Sequence, residues 1–135
     1  MTPEAAIKRS ICGALEIYAR KHHLIFWVQE SVGVYDAKKG VYRRKTSRWQ
    51  TNGIADIIVI IKINNLSIPI FLEVKTDVGR QSEHQKAFQV LIESVNGFYF
   101  VVRSIDDAIL SIDKVREIVD SQLVGTGTRG AACHR

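Results

Sequence analysis

Cysteine is scarce in this chain: Cys12 falls within a helical pattern and Cys133 lies near the C-terminal end. That spacing offers no disulfide framework, and a reducing compartment such as the cytoplasm is expected. Long apolar runs are also missing. Nothing approaches the roughly 18–20 uncharged residues that span a bilayer, so no membrane association is expected. Glu4, Lys8 and Arg9 interrupt the first apolar positions, and the N-terminus is not expected to be a secretory signal. No internal repeat and no second domain can be read. What remains is 135 residues, enough for one domain with a core that needs no disulfide or structural metal. Its 46% hydrophobic and 24% charged residues are ordinary for a soluble globular protein.

The charge is less ordinary. A net +5 and a pI near 9.4 suggest a polyanionic partner, although overall charge alone is weak evidence. Its distribution is more useful. Lys38, Lys39, Arg43, Arg44, Lys45 and Arg48 fall between Lys38 and Gln50 with no acid among them, and Tyr42 and Trp49 are interleaved. Cations that neutralise phosphates release condensed counterions, and aromatic rings can stack on exposed bases. The segment therefore reads as a DNA contact, or as a solvated hairpin tip.

Local signals give a coarse element order. Thr2 suits an N-cap and Pro3 the first helical position, and Ile7, Ile11, Leu15 and Tyr18 form a helical stripe to about residue 21. A strand is expected over 24–34, a turn over 37–40 and a basic strand from Val41 to about Lys45, with a loop over 46–53. Two nearly unbroken apolar strands, 57–63 and 68–74, should pair antiparallel around a turn at 64–67. After a loop at 76–81, Ser82 and Gln85 form a capping-box pattern that opens a helix to about Val95, closed by Asn96-Gly97. An apolar strand follows over 98–102. Ser104 and Asp107 cap another helix, and a last helix is expected over 113–123. Gly125, Gly127 and Gly130 suggest a flexible tail over 124–135. The order α-β-β-β-β-α-β-α is that of a mixed α/β sheet flanked by helices, a single domain over 1–123.

The chemistry gathers at the junction of the two apolar strands. Gly53-Ile54-Ala55-Asp56 leads into the first, and Glu73-Val74-Lys75 ends the second. Side chains alternate along a strand, so Glu73 and Lys75 share a face. With a turn at 64–67, Asp56 falls opposite Lys75, and all three converge at one sheet end. Hard cations such as Mg²⁺ or Mn²⁺ take carboxylate oxygens, so Asp56 and Glu73 are expected ligands, with the backbone carbonyl of Val74 a further one. Lys75 would orient water or stabilise negative charge on a phosphate. Glu4 lies within roughly 20° of Ile11 on the helical wheel, against about 140° for Glu16. It could complete the metal site, or serve as a first-turn acid favoured by the helix dipole. This arrangement suits phosphodiester hydrolysis. The bland reading is an ion-paired strand end.

The string resembles the virus-type replication-repair nuclease (VRR-NUC) domain, a branch of the PD-(D/E)XK nuclease superfamily. The matching residues are Gly53 to Asp56, Glu73 to Lys75, Gly79, Ser82 with Gln85, Phe98 to Ser104, and Asp107-Ala108. The likeness covers about residues 3–110. It implies a restriction-endonuclease-like α/β core in which Asp56 and Glu73 bind Mg²⁺ or Mn²⁺, Lys75 assists hydrolysis and Gln85 faces the site, unless Gln85 serves only as a capping partner. It further implies the stand-alone, phage-like form: an endonuclease, homodimeric and preferring branched DNA such as four-way junctions, in a bacterial cytoplasm. A flap- or duplex-cutting nuclease of the same fold, or a catalytically silent DNA-binding module, are the alternatives. The histidines carry less: His22-His23 end a helix, His84 beside Gln85 is a better DNA contact, and Cys133-His134 lacks further zinc ligands.

Overall fold

Helix α1 (Pro3–Lys21) begins as its sequence dictates: Thr2 Oγ1 accepts the Ala5 N–H at 3.1 Å, and Pro3 occupies the first turn, where its missing N–H costs nothing. Ile11 and Leu15 on its stripe are fully buried. The computed structural model describes the backbone of residues 1–29, 33–44 and 51–133, and the side chains of 1–29, 36–41 and 51–123. Five strands come before the second helix, and a strand and a helix follow it: β1 (Leu24–Val28), β2 (Gly33–Asp36), β3 (Val41–Arg44), β4 (Ile57–Ile63), β5 (Leu66–Val74), α2 (Glu83–Ser94), β6 (Phe98–Val102) and α3 (Ile105–Cys133).

The main sheet has the order β1-β4-β5-β6, antiparallel except for the parallel pair β5–β6 joined through α2. Alternation along β4 decides which face is wet. Ile57, Val59, Ile61 and Ile63 point into the core with α1 and α3, while Ile58 and Ile60 are half-buried and Lys62 is exposed. Each β-branched side chain so buried contributes about 1.5–3 kcal/mol. On the opposite face α2 lays Phe88 and Ile92 over Ala55, Phe71, Tyr99 and Val101. The result is a mixed sheet between helical layers, the expected α/β class.

Four expectations change. The strand expected over 24–34 is two: β1 joins the main sheet, whereas β2 pairs with β3 in a separate hairpin whose turn, Ala37 to Gly40, lies where expected. The turn between β4 and β5 has two residues, not four. Asn64 and Asn65 both take positive φ, 49° and 68°, the twist that a two-residue hairpin turn requires and that asparagine tolerates. Leu66 thus pairs with Ile63, Ile57 with Leu72, and the next step places Asp56 opposite Glu73, not Lys75. A shift of two residues keeps every side chain on its face, so the convergence survives the correction.

The helices expected over 105–112 and 113–123 are one. Ala108, Ile112, Val115 and Val119 form a single buried stripe through Asp113, whose carboxylate accepts from the Tyr18 hydroxyl at 2.9 Å instead of capping a new helix. Helix α3 also runs on to Cys133 through Gly125, Gly127 and Gly130, where a flexible tail from Val124 was expected. Glycine costs about 1 kcal/mol in a helix but does not block its hydrogen bonds, and extending an existing helix is far easier than starting one. No helix among the described residues is long and apolar enough to cross a membrane.

Candidate active site

The N-terminal turn of α2 sits directly on the segment that carries Asp56. Gly53 has φ +76°, and a Cβ there would lie 2.3 Å from the His84 carbonyl oxygen and 2.7 Å from the Gln85 nitrogen. Only glycine permits that approach. It explains the first position of the Gly-x-x-Asp pattern: the loop slides beneath the helix, Ala55 is buried against Phe88 and Tyr99, and Asp56 emerges at the head of β4. There Asp56 Oδ2 accepts the Val74 N–H at 2.8 Å. An extended residue directs its N–H and C=O to the same neighbour, so the Val74 carbonyl faces the Asp56 side as well.

Glu73 is 1% exposed, the most deeply buried charged side chain described. Its Oε2 accepts from Gln85 Nε2 at 3.0 Å, whereas Oε1 is buried with no hydrogen-bond partner among the described residues. Burial first, then the hydrogen bond and charge of Asp56, push its carboxyl up to about 9. Lys75 opposes the rise and Glu4 adds to it. Two carboxylates that interact this strongly in a buried setting need a proton or a cation between them. The unpartnered oxygen is where that proton or cation would sit.

Gln85 performs both roles weighed for it. Its Oε1 accepts the Ser82 N–H at 2.8 Å while Ser82 Oγ accepts the Gln85 N–H at 3.2 Å, a closed capping box. Because the Ser82 N–H can only donate, the amide oxygen must face it, and the amide NH₂ is left for Glu73. Lys75 follows on the same face as Glu73 and is half-buried, its N–H on the Val102 carbonyl at 3.0 Å. Glu4, at the start of α1, is close enough to influence Glu73, yet no group of three or more His, Cys, Asp or Glu among the described residues is arranged to hold a metal ion. The donor set on hand is two carboxylates and a carbonyl.

Sequence reading missed Tyr99 and Gln81, and did not see what Arg103 does. Tyr99 is 5% exposed and shares the α2 face with Glu73, since Phe71 pairs with Tyr99 and Glu73 with Val101. Gln81 Nε2 donates to the Tyr99 hydroxyl at 3.2 Å and to Gln89 Oε1 at 3.0 Å. Burial, and the nearby carboxylates of Glu73 and Asp56, raise the Tyr99 hydroxyl to about 12. A polar-tipped aromatic within an apolar strand was the available signal, but its partner lies 18 residues away. Arg103 Nη1 donates to the Thr76 carbonyl and, at 2.9 Å, to that of Gly79, clamping the loop beyond Lys75.

The basic segment is only partly described. Lys38 and Lys39 are exposed at the β2–β3 turn, their N–H groups gathered by Asp36 Oδ1 at 3.0 and 3.3 Å. Arg43 and Arg44 lie on β3, paired in register with Val34 and Gly33. Lys45, Arg48 and Trp49 fall outside the described residues. His84 is exposed beside Gln85, and His22 contacts Arg116 Nη1 at 2.6 Å instead of any acid cluster. Comparison with protein-family models, curated proteins and solved structures finds no match for this chain.

Proposed function

We propose that this chain is a Mg²⁺- or Mn²⁺-dependent DNA endonuclease of the PD-(D/E)XK type, resembling the stand-alone VRR-NUC form. One observation carries the reading: a fully buried glutamate, opposite an aspartate and oriented by Gln85, that leaves one oxygen without a donor. Without metal, a proton held between Glu73 and Asp56 satisfies that oxygen, and a divalent ion would take the proton's place. Asp56, Glu73 and the Val74 carbonyl would hold the ion, with Glu4 near enough to add charge. When bound, such an ion lowers the pKa of coordinated water and offsets charge building on the phosphate.

The protein's own groups divide the remaining work. Gln85 keeps Glu73 in a single rotamer, and Gly53 brings the helix that carries Gln85 into contact with the acid-bearing loop. Lys75 supplies a cation on the face where a scissile phosphate would lie, suited to stabilising charge or orienting water. Lys38 and Lys39, with Arg43, Arg44, Lys45, Arg48 and Trp49, form the proposed DNA-contacting arm. Branched DNA is the proposed substrate and a two-fold dimer the proposed working state, since symmetric sites suit paired incisions across a four-way junction. The proposed setting is a bacterial cytoplasm.

The test compares wild type with Asp56→Asn on labelled four-way junction, flap and linear duplex with Mn²⁺. Junction cleavage by wild type alone supports the reading. Cleavage of flaps but not junctions by a strict monomer refutes the dimeric, junction-resolving part. Junction binding without cleavage by either protein identifies a binding module.

A further inference from the structure

A chain of side-chain amides runs from the surface to the Tyr99 hydroxyl, and its direction can be worked out from its outer end. Glu93, exposed on α2, is acceptor-only when ionised. It accepts from Gln89 Nε2 at 3.2 Å, which obliges the Gln89 amide to turn its oxygen inward. That oxygen accepts from Gln81 Nε2 at 3.0 Å, so Gln81 presents its NH₂ inward too, and the same nitrogen donates to the Tyr99 hydroxyl at 3.2 Å. The hydroxyl oxygen is thus an acceptor on the Gln81 side, leaving its own proton to be donated elsewhere. Tyr99 is held edge-on against Phe88, with ring centroids 6.1 Å apart, on the sheet face that carries Glu73. The carboxylates of Glu73 and Asp56 are near enough to act on that hydroxyl, and Glu73 shares its sheet face.

We infer that Tyr99 is a positioning residue for the acid pair, its O–H aimed at the Glu73 and Asp56 carboxylates by the relay Glu93–Gln89–Gln81. The inference rests on the metal-site reading above and deepens it. Gln85 secures one oxygen of Glu73 from the helix side. Tyr99 would offer the pair a second donor from the sheet side without occupying Glu73 Oε1, which has no hydrogen-bond partner among the described residues. Hydrogen bonds linked in one direction polarise one another, so the outer carboxylate strengthens the inner donor. Outer-shell partners of this kind commonly tune metal affinity by about 10–100-fold.

The test is Mn²⁺ binding to the full chain by titration calorimetry, with a tyrosine ultraviolet difference spectrum as a second readout. Tyr99→Phe keeps the ring and removes only the hydroxyl. It should weaken Mn²⁺ binding about tenfold and abolish the difference signal that wild type gives on adding Mn²⁺. Glu93→Lys places a donor at the outer end, inverts both amides and draws the Tyr99 proton toward Gln81. It should weaken binding several-fold in wild type and much less in the Tyr99→Phe background, a coupling that a packing role would not produce. Tyr99→Phe affinity within twofold of wild type, or an equal Glu93→Lys effect in both backgrounds, overturns the relay while leaving the metal site standing. Mn²⁺ binding unaffected by Asp56→Asn overturns the site itself.

Discussion

Replacing Glu73 with glutamine removes a group that must take up a proton to be buried, keeps its size and the contact with Gln85, and should stabilise the metal-free protein. The Glu73 carboxyl takes up its proton near pH 9 in the folded chain and near 4.5 when unfolded. Between those values the folded state binds a proton that the unfolded state does not, so stability falls as pH rises. At about 1.4 kcal/mol per pH unit, the loss reaches about 3–4 kcal/mol at pH 7. Glu73→Gln carries no such proton and escapes the loss, its amide NH₂ facing Asp56. For a chain of this length the gain corresponds to roughly 10 °C in melting temperature. As pH falls toward 4 and the carboxyl becomes mostly protonated in the unfolded chain as well, the melting temperatures of the two proteins should converge. Saturating Mn²⁺ should reverse the order at pH 7, because a ligand that binds only the folded state stabilises it and the variant has lost a ligand. Thermal melts followed by circular dichroism from pH 4 to 8, with and without Mn²⁺, read all of this. A variant less stable than wild type by the same amount at every pH would refute the argument.

Gly53→Ala drives a Cβ into the His84 carbonyl at a φ of +76°, and should cost about 2–4 kcal/mol in urea unfolding. A loss under 1 kcal/mol would mean that the close approach beneath α2 is not needed. Lys38→Ala with Lys39→Ala should lower the slope of log affinity against log salt by about 2 for duplex or junction DNA. An unchanged slope would remove the exposed hairpin turn from the interface.

Much of the element pattern was legible because its causes are local. Thr2-Pro3 and Ser82 with Gln85 announce helix starts through groups within three residues of one another, and both caps form as spelled. The alternation along β4 reports its own burial. The breaks came where a local signal met a longer-range one. Leu66 and Ser67 looked like turn residues, yet paired asparagines close the hairpin in two residues and move the register by two. Asp113 looked like the start of a separate helix, yet the buried stripe continues past it in α3. The glycines beyond Leu123 looked like a tail, yet the helix extends through them.

By itself the sequence determined which residues could meet. Parity along β5 puts Glu73 and Lys75 on one face, and any even register brings Asp56 to that face as well. Only tertiary structure decided how tightly they meet and in what medium. The proximity of α2 to Gly53, the burial of Glu73, and the donors of Gln85, Gln81 and Arg103 all come from groups far apart along the chain or from separate elements. Spacing along a strand is set by bond geometry, whereas desolvation and hydrogen-bond direction exist only once the helices have closed over the sheet.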